Sequence, residues 1–297
     1  MPQSINEALV SQFDSMMQVE AAQRVSRLRS KVIVKSVTGK DFSHNLFNGG
    51  NDTEIVTRYA PRVPSNSEHS VRWGRTRKFE WMEMFADYDS LAALINPEAG
   101  YAKAAVEAMF RREDRLIIEA LGATVTTGEN KDGTVTFAND GGTTIAAGGT
   151  GYTFAKVKTV KKNFINNEVG NDNLTKFTTL VTGNQIDNFY DEDELVGRDF
   201  NSQLYIEAGE ISKVMGMDVV KFGAPTSNPM LPVASNIRDC WAFAEGAIVL
   251  GITKDITLEI VQRTDLQASP WQVTARIYMG ALRTEGKLVQ KVQCTET

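Results

Sequence analysis

The chain has 297 residues, 42% of them hydrophobic and 23% charged, with a formal net charge of -5 and a pI near 5.3. That length suits two lobes and a sizeable core, and the acidic balance excludes a nucleic-acid binder that works by its whole surface. No apolar run approaches the roughly 20 residues of a membrane span, the start lacks a signal-peptide core, and Cys240 and Cys294 form no CxxC, which fits a reduced site of synthesis.

Ser4-Ile5-Asn6-Glu7 fits a capping box, and the helix it opens carries Ile5, Leu9, Phe13 and Met16 or Met17 on one face. Its far end is basic, with Arg24, Arg27, Arg29 and Lys31. These residues either complement a helix dipole in solvent or form an arm facing a neighbouring subunit or nucleic acid. Val32 to Val37 reads as a strand. Turn chemistry follows at Gly39, Asn45, Asn48-Gly49-Gly50-Asn51, Pro61 and Pro64. A return strand is expected from Val71 to Met84, made basic by Arg72, Arg75, Arg77 and Lys78. Two arms closed by a long tip make a projecting loop, which buries little in its own chain and calls for a partner.

The chain is organised around one long helix over Pro97 to Leu121, with Asn96 as N-cap, Pro97 at the first position and Gly122 as left-handed C-cap. Tyr101, Ala105, Ala108, Met109, Leu116 and Ala120 give it an apolar stripe. Glu107–Arg111 and Arg115–Glu119 are spaced to pair on the other side. Its 25 residues span roughly 37 Å.

Residues 122–151 are rich in glycine and threonine. Thr124–Thr127 and Thr134–Phe137 bracket a turn and read as a hairpin. The Gly141-Gly142 and Gly148-Gly149-Thr150-Gly151 clusters lack the Lys-Ser/Thr and the preceding buried strand of a phosphate loop. From Thr153 the pattern is α/β. A helix carries Phe154, Val157, Lys161, Phe164 and Ile165, with Lys156, Lys158 and Lys162 exposed. A strand at Phe177–Val181, a short helix at Asn184–Tyr190, a helix at Gln203–Val214 and a strand at Met217–Phe222 follow. The acidic run Asp191-Glu192-Asp193-Glu194 lacks the spaced ligands of a metal site. Ala224–Asn236, with three prolines, reads as a loop, and Cys240–Leu250 is apolar. Alternation at Ile256, Leu258 and Ile260 and from Trp271 to Met279, with Leu288 to Cys294 after it, predicts a closing antiparallel sheet covered by the long helix.

Catalytic signatures are missing. His44 and His69, the two histidines, form no HExxH or paired-ligand spacing, there is no GxSxG, and neither cysteine sits in a nucleophile motif. The reading is a non-enzyme with no cofactor.

The order of parts resembles the major capsid protein family of tailed bacteriophages, whose coat fold was first seen in a Hong Kong coliphage and is shared by encapsulin shells. Four stretches carry the resemblance. They are Phe79-Glu80-Trp81 through Ile95-Asn96-Pro97, Arg112-Glu113-Asp114-Arg115-Leu116-Ile117-Ile118 to Ala120-Leu121-Gly122, Gly209-Glu210-Ile211 with Met215-Gly216-Met217, and Gly280-Ala281-Leu282-Arg283-Thr284-Glu285 before the last strand. The resemblance implies an α+β, Hong Kong phage-type capsid fold. Its parts would be an N-arm (1–30), an extended two-stranded loop (31–87), the spine helix of a peripheral domain (88–121), a Gly/Thr-rich insertion (122–151), an axial α/β domain (152–253) and a peripheral antiparallel sheet (254–297).

It also implies self-assembly into hexamers and pentamers of an icosahedral virion shell around double-stranded DNA, after synthesis in the host bacterial cytoplasm. Inter-subunit contacts would involve Arg72, Arg75, Arg77, Lys78 and Trp81, and lumen or neighbour contacts Arg24, Arg27 and Arg29. Implied partners are further copies of the chain, a portal protein, a separate scaffolding protein, a decoration protein and DNA held nonspecifically, with no membrane. Only about thirty residues precede the loop, so a fused scaffold is not expected, and the Lys–Asn cross-link of some members cannot be placed. An encapsulin-like compartment is the alternative within the fold, distinguished by protein cargo. An α/β enzyme is the alternative outside it.

Overall fold

The computed structural model describes residues 23–47, 67–85, 98–171, 174–192, 206–207, 210–225 and 228–296, with isolated positions between 49 and 64. The expected N-terminal helix, the Asn96 cap and Pro97 lie outside the described residues, as do Asp193 and Glu194.

The strands and helices run in the order β1 (Ile33–Ser36), β2 (Asp41–Phe47), β3 (His69–Arg75), β4 (Arg77–Phe85), α1 (Glu98–Gly122), β5 (Val125–Thr127), β6 (Gly133–Val135), β7 (Thr143–Ile145), α2 (Phe154–Asn166), β8 (Phe177–Thr182) and α3 (Gly183–Tyr190). Then come β9 (Ile206–Glu207), β10 (Glu210–Ile211), β11 (Lys213–Val214), β12 (Met217–Phe222), β13 (Val233–Ala234), β14 (Ile237–Ala244), β15 (Ile248–Gln262), β16 (Trp271–Arg283) and β17 (Val289–Thr295). The class is α+β.

Three larger sheets share this chain. The first has the order β1-β15-β16-β4, with β1 parallel to β15 and the other pairs antiparallel. The alternation along β16 buries Val273, Ala275, Ile277 and Met279. They join Ala105, Met109, Leu116 and Ile117 of α1 in one core, so the helix covers this sheet. The second sheet runs β11-β12-β8-β14-β17-β7, with β13 beside β14. Strand β8 is buried at every position, as a central strand covered on both faces should be. The third, β2-β3-β5-β6, is antiparallel throughout.

Several expectations are corrected. Leu288 to Cys294 does not close the peripheral sheet. β17 pairs with β14 and β7 in the second sheet, because the 3-10 turn Gly286–Leu288 redirects the chain after β16. Period-two alternation fixes a strand's faces but not its partner. The strand expected from Val71 to Met84 breaks at Thr76, whose N–H donates to the Lys40 carbonyl (2.8 Å), and its halves join different sheets. The helix expected over Gln203–Val214 is replaced, in its described part, by the short strands β9, β10 and β11. β-Branched Ile206, Ile211 and Val214 suit strands, and Met215 and Gly216, both at positive φ, turn the chain back into β12.

Gly122 is not a left-handed cap. It ends α1 without positive φ, and a Cβ there would stand 2.8 Å from the Trp241 ring. The expected pairs along α1 are also rearranged. Arg111 donates to the Gln23 carbonyl (3.2 Å) and Arg115 to that of Asn228 (3.0 Å), while Glu119 meets Arg112 (3.6 Å) and Arg77 (3.2 Å). Glu107 is buried. The chain wraps the helix on the side that the charge pattern assigned to solvent.

Candidate assembly surfaces

The extended loop is anchored at its base by its own chain. The β2–β3 ladder runs from Asp41↔Arg75 to Phe47↔His69, and β5 adds to the far side of β3. The Phe42 ring lies over two glycines. A Cβ at Gly74 would come within 2.4 Å of it and one at Gly251 within 2.7 Å. The corner between β3 and β4 crosses β16 at Gly280, where a Cβ would stand 2.2 Å from the Arg75 carbonyl oxygen. Trp73 Nε1 donates to the Gly128 carbonyl (2.7 Å), and Lys131 lies over the Trp73 ring (4.7 Å) while pairing with Asp41 (2.5 Å). Residues 122–151, expected as an insertion, thus supply two strands beside the loop and one, β7, to the second sheet.

Asp140 joins this base to the spine helix. It accepts from Arg72 (2.7 Å) and from the fully buried Arg283 (3.1 Å). Arg283 Nη1 also donates to the carbonyls of Leu121 (2.9 Å) and Ala123 (2.7 Å). A guanidinium therefore caps the negative end of α1, in place of the expected glycine. Burial works against that charge, and Asp140 opposes the effect.

The contact candidates divide accordingly. Arg72 is spent on Asp140, and Trp81 packs half-buried against the main core. Arg75, Arg77 and Lys78 stay exposed at the β3–β4 corner, with Arg77 near Glu119 and Lys78 over the Tyr278 ring (5.1 Å). At the N-terminal side Arg24 is exposed, Arg27 donates to the Lys221 carbonyl, and Arg29 forms a two-pronged contact with Asp255 (3.1 and 2.6 Å).

A carboxylate clamp holds the N-terminal segment to the spine. Asp114 is buried and accepts from the Gln23 side chain, from Ser26 Oγ (2.7 Å), and from the N–H groups of Arg27 (2.9 Å) and Leu28 (3.2 Å). Glu113 beside it is fully buried, and its oxygens have no hydrogen-bond donor among the described residues. Arg29 Nε stands 3.6 Å away. Burial raises the Glu113 carboxyl to about 7, against the opposing pull of Arg29. The sequence carries a signal for it: Glu113 interrupts the apolar row Met109, Leu116, Ile117, Ala120 at helical spacing.

Lys156, expected to be exposed, is buried, and the Gly-rich loop explains why. Its ammonium donates to the carbonyls of Ala147 (2.8 Å), Thr150 (2.9 Å), Gly151 (2.8 Å) and Gln293 (3.0 Å). Positive φ at Gly148 and Gly149 turns the loop so that carbonyls converge. The loop offers acceptors to a cation, the reverse of the N–H cradle that holds a phosphate.

One further cleft, about 870 Å³, lies between α1, the N-terminal segment and residues 223–230. Arg27, Arg111, Arg112 and Arg115 line it, opposite Ala224, Pro225 and Met230. No carboxylate lines it among the described residues. Arg112 stacks on Phe79 at 4.1 Å, and its Nε is buried without a described acceptor. Among the described residues no three His, Cys, Asp or Glu side chains group as a metal site, and no helix is long and apolar enough to cross a membrane. His44 meets Lys35 Nζ at 3.1 Å, and His69 packs on Phe47.

The sequence model of a family described as phage capsid protein matches residues 5–296. Solved structures with the same fold include the capsid of the cyanophage P-SCSP1u, at 14% identity and a TM-score of 0.69, covering 98% of this chain and 94% of that one. The capsid of Helicobacter pylori phage KHP30 aligns at 10% identity and a TM-score of 0.72, over 99% of this chain and 97% of that one. A chain of Mycobacterium phage Che8 aligns at 14% identity and a TM-score of 0.66, over 95% and 96%. No curated protein sequence matches the chain.

Proposed function

The chain belongs to the phage capsid protein family, and from that premise we propose that it is the major capsid protein of a tailed phage and closes into an icosahedral shell of hexamers and pentamers around double-stranded DNA. The family match over residues 5–296 carries this reading. Its physical basis is repetition of one heterologous contact set, in which rotation closes rings and curvature closes the shell. Residues 31–87 would overlap a neighbouring subunit, with the axial part, 152–253, meeting at ring centres and the peripheral part, 88–121 with 254–297, meeting between rings. Arg75, Arg77 and Lys78 support the overlap because they remain exposed at the loop corner. They would meet an acidic surface of the next subunit and set specificity more than affinity. Further partners would be a portal, a separate scaffolding protein and a decoration protein, with DNA held loosely against an acidic wall. The protein would be made in the host bacterial cytoplasm, with no catalytic role. The test is the double substitution Arg75→Glu with Arg77→Glu. A folded subunit with shell yield reduced at least about tenfold is expected, and normal particle yield would refute the role given to the corner. Nuclease-protected double-stranded DNA in purified particles is the second expectation, and particles filled with a cargo protein instead would contradict it.

A further inference from the structure

The arginine cleft beside α1 gathers four guanidiniums, with no carboxylate among its described lining residues, in a chain whose net charge is -5. Among the described residues its four guanidiniums are only partly used. Arg111 and Arg115 each give one donor to a main-chain carbonyl, Arg27 does the same, and a guanidinium has five N–H donors. Burial works against the charge of Arg112, Glu119 at 3.6 Å opposes that effect, and the like charges of Arg77 and Arg115 add to it. An incoming carboxylate would add to Glu119 against the like charges and supply the buried Nε with an acceptor.

We infer that the cleft is the docking surface for residues 1–22 of the same chain. Three observations converge on that occupant. Gln23, the next residue, already lines the cleft, and its carbonyl accepts from Arg111, so the preceding chain starts at the cleft wall. Residues 1–22 contain three carboxylates, Glu7, Asp14 and Glu20, and no lysine or arginine. Their apolar residues Ile5, Leu9, Phe13 and Met16 recur at helical spacing, with Glu7 and Asp14 on the opposite side and Glu20 ending the apolar row next to the cleft. One wall of the cleft is cationic and the other, at Ala224, Pro225 and Met230, is apolar. Over residues 5–16 the segment has one acidic and one apolar face, which match both walls. Docking in cis also costs less ordering entropy than capture of a separate peptide, because Asp114 and Arg111 already fix the first residues after the segment.

The experiment is hydrogen–deuterium exchange on the full chain, unassembled, at low ionic strength. It compares the unaltered protein with the acid-reversed variant Glu7→Lys with Asp14→Lys and Glu20→Lys, with Arg111→Glu with Arg115→Glu, and with the combined variant. Amides of residues 5–20 should exchange at least about tenfold more slowly in the unaltered chain than in either single-sided variant. Protection should return in the combined variant, fade with salt and stay constant on dilution. The acid-reversed variant leaves the cleft wall untouched, and unchanged exchange of β16 in every variant shows that the fold is retained. Equal, fast exchange in the unaltered and acid-reversed chains would overturn the inference. So would protection that disappears on dilution, which would assign the cleft to another copy's segment. Both readouts come from unassembled subunits, so they stand or fall independently of shell formation.

Discussion

Replacing Lys156 by methionine keeps the length of the side chain and removes the ammonium that four carbonyls surround. Two of those carbonyls keep another donor. Ala147 O also accepts from Thr150 N (3.1 Å) and Thr150 Oγ1 (3.1 Å), and Thr150 O from Thr295 N (3.0 Å). The loss therefore concentrates on Gly151 and Gln293. At about 1–3 kcal/mol for each buried acceptor left short of a donor, the gross cost is roughly 2–6 kcal/mol. The burial cost of the charged group is returned, because desolvation already lowers the Lys156 pKa. A net loss of about 3 kcal/mol follows, and with a urea slope near 3 kcal/mol/M for a chain of this size the midpoint should fall by about 1 M. Urea unfolding of the unassembled subunit, followed by tryptophan fluorescence and far-UV circular dichroism, reads it directly. A shift below about 0.2 M with unchanged slope would refute the view that this ammonium organises the Gly-rich loop.

Glu113 should make stability fall with rising pH. Its folded value, about 7, lies above the ordinary 4.5, so the folded chain keeps a proton that the unfolded chain has released, and stability declines as pH rises between those values. The groups facing it are Arg29, Asp114 and Asp255, and the full effect is of order 3 kcal/mol. Glu113→Gln should flatten the pH dependence of the urea midpoint across this window, and a slope identical to the parent's would contradict the assignment. Gly280→Ala should lower stability by about 1–3 kcal/mol, because its Cβ meets backbone at the loop corner rather than a movable side chain. Thermal melting measures this, and faster proteolytic cleavage within 41–75 should accompany it.

The sequence made the long helix, β1, β12, β15 and β16 legible because each carries its own period and its own turn residues, whereas β2 was hidden by Asn45, which reads as turn chemistry yet lies inside that strand opposite Val71. What it left unread was pairing. Leu288 to Cys294 has the right alternation for either sheet, and only the turn at Gly286–Leu288 sends it to β14. Gly122 looked like a cap because glycine often caps helices. The decisive contact is with Trp241, more than a hundred residues later in the chain. Lys156 looked exposed because it sits among lysines, yet the carbonyls that bury it come from residues 147–151 and 293. Arg72 and Trp81 were legible as a basic and an aromatic residue on a strand. Whether each faces a neighbour or its own chain depends on Asp140 and on the register with Ala275. Glu113 is the exception, a charge inside an apolar row that the sequence displays openly.

The central claim is that this chain builds a shell, and negative-stain electron microscopy of the protein expressed alone, after size-exclusion chromatography, tests it most directly. Closed shells, tubes or capsomer rings are the predicted result. A folded subunit that stays monomeric at every attainable concentration, with residues 31–87 as protease-resistant as the rest of the chain, would contradict it.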